Sequence, residues 1–355
     1  MGTRTSNGAN SVEANGAHAV PATGRVLKPG IYAPIPTFFL PETEDLDLES
    51  FSAHVVRLAK ANVRPLIAGS MGEAIHLTHE ERNTLIRTAR KALDVAGFAD
   101  LPIIAGTGTG STRETIQLCH EAAEAGADFV IVITSGYFAG ALTRDALRAY
   151  FVEVSEKSPL PVIVYNYPGA SGGLDLDSDL ITELAEICPN LAGVKLTCGN
   201  VGKLTRICAT VSTPSFASSH PRKNANAPFL VLGGFADFIL PSTYANGHGA
   251  IIGLGNVAPF TCAKLFDLSE TTLHDPTQLA EAQRIQGIVA RGDFTIAKTS
   301  ISGTKYLLSK LYGYGGNPRR PLPPIASGEA EKLWAHAHVK ELVALERELS
   351  GKTSA

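Results

Sequence analysis

A lysine inside an apolar strand is costly unless the fold uses it, and Lys195 sits in LAGVKLTCG (191–199). Burying an ammonium without compensation is unfavourable, so the amine lowers its pKa and sheds its proton. A neutral amine is a nucleophile able to condense with a ketone. The plain alternative is a strand-end lysine whose ammonium snorkels to water. Tyr165, in VIVYNYPG (162–169), could move protons beside such an amine, or simply pack a barrel. In Gly69-Ser70-Met71-Gly72-Glu73 the glycines would let backbone N–H groups face an anion, with Ser70 free to hydrogen-bond a neighbouring hydroxyl. Otherwise the stretch is a tight turn. Tyr137, in TSGYFAG (134–140), follows another apolar run.

These residues need a frame. From residue 31 short apolar runs alternate with helical stretches: IYAPIPT (31–37), PLIAGS (65–70), LPIIAGT (101–107), DFVIVIT (128–134), PVIVYN (161–166), LAGVKLT (191–197), PFLVLG (228–233) and GAIIGL (249–254). Helix starts are marked by Thr78-x-x-Glu81, Ser111-x-x-Glu114 and Asp177. Strands this apolar, separated by helices, imply a parallel sheet covered by helices. Eight such units predict an α/β fold, a closed (β/α)8 TIM barrel, whose catalytic residues lie at the C-terminal strand ends. That places Lys195, Tyr165, Ser70 and Tyr137 on one face. The spacing divides the chain into a disordered tail (1–27), the barrel core (28–257), and the last barrel helix with a C-terminal helical extension (258–355) interrupted by GYGGNPRRPLPP (313–324). The Ser/Pro/Asn-rich stretch 212–228 is too long for an ordinary loop. It precedes the seventh strand and is expected as a surface insertion on the N-terminal face.

The 355 residues are 44% hydrophobic and 18% charged, enough for an ordinary core, and the net charge of −3 offers no field for nucleic acid or an anionic membrane. No apolar run approaches the ~18 residues of a membrane helix. Five cysteines (119, 188, 198, 208 and 262) form no C-x-x-C pair and read as reduced thiols. Residues 1–27 lack the apolar core of a secretory signal, so a cytoplasmic enzyme is expected. His76-x-x-His79 lies at a helix start marked by Thr78 rather than stacked on a helix face, so no metal is expected. Gly106-x-Gly108-x-Gly110 departs from the nucleotide fingerprint, because Ser111 follows where that motif continues. Cys198 is read as a structural thiol.

GSMGE, TSGY, YNYPG and GVK, on the second, fourth, fifth and sixth strands, resemble the dihydrodipicolinate synthase and N-acetylneuraminate lyase superfamily over roughly residues 28–325. The resemblance implies a pyruvate-dependent class I aldolase or lyase that needs no cofactor beyond an imine on Lys195. It further implies proton relay by Tyr165, Ser70 and Tyr137, the last crossing a subunit interface in synthase relatives. Substrate contacts would come from Ser70, Met71, Gly72 and the backbone at Ile252. A homo-oligomer, dimer or homotetramer, follows from the same likeness. Ala170 stands where the synthases carry an arginine for a second carboxylate, and Met71 where they carry threonine. YNYPGASGGLDL, GVKLTCGN, STRETIQLC, VARGD and GYGGNPRRP are similar to fungal 2-keto-3-deoxy-L-galactonate (L-threo-3-deoxy-hexulosonate) aldolases of galacturonate breakdown. The 4-hydroxy-2-oxoglutarate aldolases form a second similar group. The expectation is cleavage of a 2-keto-3-deoxy sugar acid to pyruvate and an aldehyde, glyceraldehyde for the hexulosonate. The alternatives are 4-hydroxy-2-oxoglutarate cleavage to glyoxylate and pyruvate, a dehydratase, a synthase-like enzyme of secondary metabolism, and a non-catalytic pyruvate-binding relative.

Overall fold

A computed structural model describes residues 24–351. Eight parallel strands close into one barrel in sequence order: β1 Gly30–Pro34, β2 Arg64–Ile67, β3 Ile104–Gly106, β4 Phe129–Ile133, β5 Val162–Asn166, β6 Leu191–Leu196, β7 Leu230–Gly233 and β8 Gly249–Ile251. Each lies within an apolar run read from the sequence or starts one residue before it. Between and after them run α1 Leu48–Lys60, α2 His79–Val95, α3 Thr112–Glu124, α4 Arg144–Lys157, α5 Ser178–Ile187, α6 Val201–Val211, α7 Pro214–Ser219, α8 Ile239–Tyr244 and α9 Pro259–Thr272. The chain then adds α10 Leu279–Ala297, α11 Ser300–Tyr312, α12 Ser327–Ala335 and α13 Ala337–Leu349. The expected caps close these helices: Thr78 and Glu81 form a reciprocal capping box on α2, Ser111 accepts from the Glu114 amide, and Asp177 accepts from the Leu180 amide. Each satisfies an amide the first helical turn leaves unpaired.

The core has two layers. Alternate strand residues such as Val162, Val164, Val194 and Leu196 pack outward against the helices, while Tyr32, Phe129, Ile163, Tyr165, Ala192 and Leu232 fill the barrel interior. The alternation is broken once, at a place that matters. The β5–β6 register shifts so that Val162 faces Leu191 and Ile163 faces Gly193, leaving Ala192 as an extra residue. Such a bulge reverses the in-and-out phase downstream of it. Ala192 packs inside, Val194 outside, and Lys195 therefore inside, directly opposite Tyr165. Gly193 permits this with a φ of +145°, and a Cβ there would meet the Leu230 carbonyl oxygen at 2.2 Å.

The 212–228 stretch lies at the N-terminal face as expected, but it does more than decorate the surface. Its helix α7 buries Phe216, and Arg222 donates to the carbonyls of Cys188 and Leu191. Ala227 joins the inner-barrel cluster beside Leu27, whose amide donates to the Asn226 carbonyl. Most of the tail expected over 1–27 lies outside the described residues. Residues 25–27 are held: Leu27 is fully buried and Arg25 pairs with the buried Asp128 at 3.0 Å. That boundary is corrected, because apolar content alone does not show that Leu27 plugs the barrel floor. The C-terminal extension is tied to the barrel by the buried Glu346 of α13, which accepts from the Phe260 and Thr261 amides at the start of α9.

Candidate active site

Lys195 is 4% exposed, and its Nζ lies 4.1 Å from the centre of the Tyr165 ring. Among the described residues no carboxylate pairs with it. Burial alone moves its pKa from 10.5 down to about 7, so at neutral pH a large share of the amine is unprotonated and nucleophilic. Tyr165, 6% exposed, is pushed up to about 12 by burial, opposed by the hydroxyls of Ser70 and Thr197. It stays a phenol at neutral pH and can donate to an oxyanion. Its ring stacks on Tyr167 with centroids 5.6 Å apart, which holds its orientation. Among the described residues the buried Thr134 hydroxyl has no hydrogen-bond partner, and Thr134 lines the wider of two adjoining cavities.

Lys195, Tyr165 and Ser70 stand between these two cavities, contributing to the walls of both. The wider, about 450 Å³, opens past Gly106, Gly108, Thr109, Ser135, Tyr137 and Ala170. Tyr137 is 88% exposed at its mouth, with its ring edge-on to Phe138 at 4.9 Å. The narrower, about 170 Å³, runs beneath Met71 toward the C-terminal helices and is walled by Thr197, Phe235, Asp293, Ser300 and Thr304 among others. Its Asp293 carboxyl is raised to about 7, chiefly by burial.

Six of the eight residues singled out in the sequence therefore border these cavities: Lys195, Tyr165, Ser70, Met71, Tyr137 and Ala170. The other two do not form the cavity walls. The Gly72 carbonyl accepts from the Thr37 hydroxyl at 2.7 Å, and a Cβ there would strike the Ile35 carbonyl; its job is close packing. The Ile252 side chain is buried in the outer core, and the adjoining Gly253 and Leu254 meet the cavity instead. Glu73, which ends the same motif, faces away from the amine. It pairs with the buried Lys305 of α11 at 2.9 Å and accepts the Arg319 amide at 2.8 Å. The motif is thereby tied to the C-terminal extension.

Sequence reasoning missed Thr197, Tyr167 and Arg82, and missed every contribution from α10 and α11. VARGD was legible as a motif, but nothing in one dimension shows Asp293 turning back over the barrel mouth. Arg82, in α2, is buried on the wall of the wider cavity and donates to the Gly106 carbonyl at 3.1 Å and to the Ala74 carbonyl. Three other arginines are engaged away from the cavities: Arg222 at the barrel floor, Arg319 with Glu81 and Arg320 with Glu44. His76 bonds Glu73, and His79 bonds Glu114 and Glu121. All five cysteines are free thiols. Among the described residues no helix is long and apolar enough to cross a membrane.

Residues 30–340 match the description "Dihydrodipicolinate synthetase family". An L-threo-3-deoxy-hexylosonate aldolase of Aspergillus niger is 41% identical over 334 residues, 91% of this chain and 97% of that protein. A protein of Emericella nidulans named "Probable 4-hydroxy-2-oxoglutarate aldolase, mitochondrial" is also 41% identical, over 92% of this chain and 99% of its own length. Among solved structures, a dihydrodipicolinate synthase family protein from Coccidioides immitis superposes with a TM-score of 0.75 at 34% identity, covering 93% of this chain and 99% of that one.

Proposed function

The chain belongs to the dihydrodipicolinate synthetase family, and on that premise we propose that it is a Schiff-base aldolase cleaving a 2-keto-3-deoxy sugar acid, L-threo-3-deoxy-hexulosonate, to pyruvate and glyceraldehyde. The observation that carries the reading is Lys195: a buried amine with no carboxylate partner, its pKa near 7, opposite a phenol in register. The substrate name is supported by the 41% identical Aspergillus relative that bears it.

In this mechanism neutral Lys195 attacks the C2 ketone. Tyr165, with Ser70 and Tyr137 completing the relay, protonates the departing hydroxyl as the carbinolamine loses water. The resulting iminium withdraws electrons from the C3–C4 bond. A base, Tyr165 or a water it holds, removes the C4 hydroxyl proton, the bond breaks, and the aldehyde leaves. The enamine is protonated at C3, and water hydrolyses the imine to release pyruvate and restore Lys195. The protonated imine nitrogen is the electron sink, so the scheme uses no metal or cofactor. We take the working form to be a homo-oligomer, in which a partner chain would cover the exposed Tyr137, and its location to be cytoplasmic, although the Emericella relative's name says mitochondrial. Light scattering and a full-length fluorescent fusion check these two points.

Incubation with pyruvate and borohydride tests the chemistry. Intact mass should rise by one reduced pyruvate adduct, and peptide mapping should place it on Lys195. An unmodified protein, or an adduct on another lysine, would refute the reading. One observation favours a second substrate. Arg82 puts a guanidinium on the wall of the wider cavity, where a second carboxylate could be held. If 4-hydroxy-2-oxoglutarate is the substrate, Arg82→Gln should abolish its cleavage selectively.

A further inference from the structure

The narrower cavity is built by two parts of the chain that sequence order keeps nearly a hundred residues apart. One wall is the catalytic face of β5 and β6, and the other is the α10–α11 corner, where Asp293, Ile296 and Ala297 precede Ser300, Ile301 and Thr304. Among the described residues Asp293 is the only acidic side chain in that lining and Lys195 the only cation. It is 8% exposed, and no cation pairs with it among the described residues. Its Oδ2 accepts the Ala236 amide at 2.8 Å. Two helical turns earlier, Gln286 grips the same loop, donating to the Ala236 carbonyl at 3.0 Å and accepting the Leu240 amide at 2.8 Å. Gln286 and Asp293 thus both hold the loop after β7 against α10. A buried carboxyl is a costly way to make such a contact, and a carboxylate has about four acceptor sites, of which the amides of Ala236 and Asp237 occupy only some.

We propose that Asp293 is the specificity-determining residue for the aldehyde half of the substrate. Its carboxyl hydrogen-bonds the hydroxyls of a polyhydroxylated tail and disfavours a carboxylate in the same place. The inference rests on the aldolase reading above and deepens it. A ketone held at Lys195 must extend its C4–C6 portion into one of the two adjoining cavities, and only the narrower presents an acid. A tail hydroxyl donates to a carboxylate, and such a charge-assisted bond is stronger than a neutral one. A dicarboxylate entering this cavity, and not the wider one that Arg82 lines, would set its second anion against a buried acid, ionised above about pH 7, with no cation in the lining but Lys195. Like charges brought together in a low-dielectric site repel strongly. Ser300, adjoining, holds a φ of +52°, a conformation disfavoured for a side chain of its kind and often kept where a site is shaped.

Asp293→Asn tests this, because an asparagine oxygen can still accept the Ala236 amide and so keeps that contact to the loop after β7. Asp293→Ser is the second variant, with melting temperature read on both. In wild type, kcat/KM for L-threo-3-deoxy-hexulosonate should exceed that for 4-hydroxy-2-oxoglutarate at least ~10-fold. Asp293→Asn should lower the sugar-acid value ~10- to 100-fold, mostly through KM, and shift the ratio toward the dicarboxylate by at least ~10-fold. A wild-type preference for the dicarboxylate, or equal losses on both substrates in well-folded variants, overturns the inference. The aldolase reading is separated by borohydride trapping of pyruvate on the wild-type protein. Trapping with an unchanged substrate ratio sinks Asp293 alone, whereas no trapping at Lys195 sinks both.

Discussion

Replacing Lys195 with methionine should abolish turnover and at the same time stabilise the protein. The native amine is held at about 7 against 10.5 when free, and burial is the cause. At ~1.4 kcal/mol per decade, the fold carries a cost of about 5 kcal/mol for this side chain wherever the unfolded chain is charged and the native amine is forced to follow. The sign follows from proton counting. Between pH 7 and 10.5 the unfolded chain binds a proton that the native state does not, so this residue's contribution makes wild-type stability rise with pH across that window. Below pH 7 the whole cost is present, and above 10.5 it disappears. Methionine has a similar length and no charge, and it should gain about 5 kcal/mol over wild type at pH 6.5 but only about 2 kcal/mol at pH 9. For a chain of this length ~1 kcal/mol moves the midpoint by roughly 1.5 °C. Melting at fixed protein concentration should therefore show the variant about 7 °C higher at pH 6.5 and about 3 °C higher at pH 9. A variant less stable than wild type, or a difference that does not change with pH, would show that Lys195 is solvated or paired in the native protein and would remove the ground for its reactivity.

Tyr165→Phe keeps the ring that stacks on Tyr167 but deletes the proton carrier; kcat should fall ~10²- to 10⁴-fold with little change in melting temperature, as steady-state pyruvate release and a melt would show. Gly193→Ala should be far more damaging than its one methyl suggests, because it must displace the Leu230 carbonyl at 2.2 Å and give up a φ of +145°. Loss of soluble protein, or loss of borohydride-trappable Lys195 in whatever folds, is expected; normal trapping and a wild-type melt would show that the β6 bulge does not orient the lysine.

Much of this protein was determined locally. Alternating apolar runs with capping residues between them specify eight β/α units, because hydrophobic periodicity and the unpaired amides at helix starts are short-range demands. The same reasoning isolates Lys195, since a charged residue in an apolar strand is anomalous wherever the strand goes. It does not settle which way the lysine points. Simple alternation from Ala192, which faces inward, would turn Lys195 toward the helices, and the one-residue bulge at Ala192–Gly193 reverses the phase. That bulge is visible only in the pairing with β5. Glu73 shows the same limit from another side: inside a glycine-rich motif it suggests a ligand contact, and its partner turns out to be Lys305, more than two hundred residues away. Arg82 is an ordinary helix residue by sequence, and Asp293 is legible only as the end of VARGD. Their burial, and with it the acid on one side of Lys195 and the cation on the other, exists only once α10 and α2 pack against the barrel mouth, because burial and charge proximity are properties of the folded surface and not of the chain order.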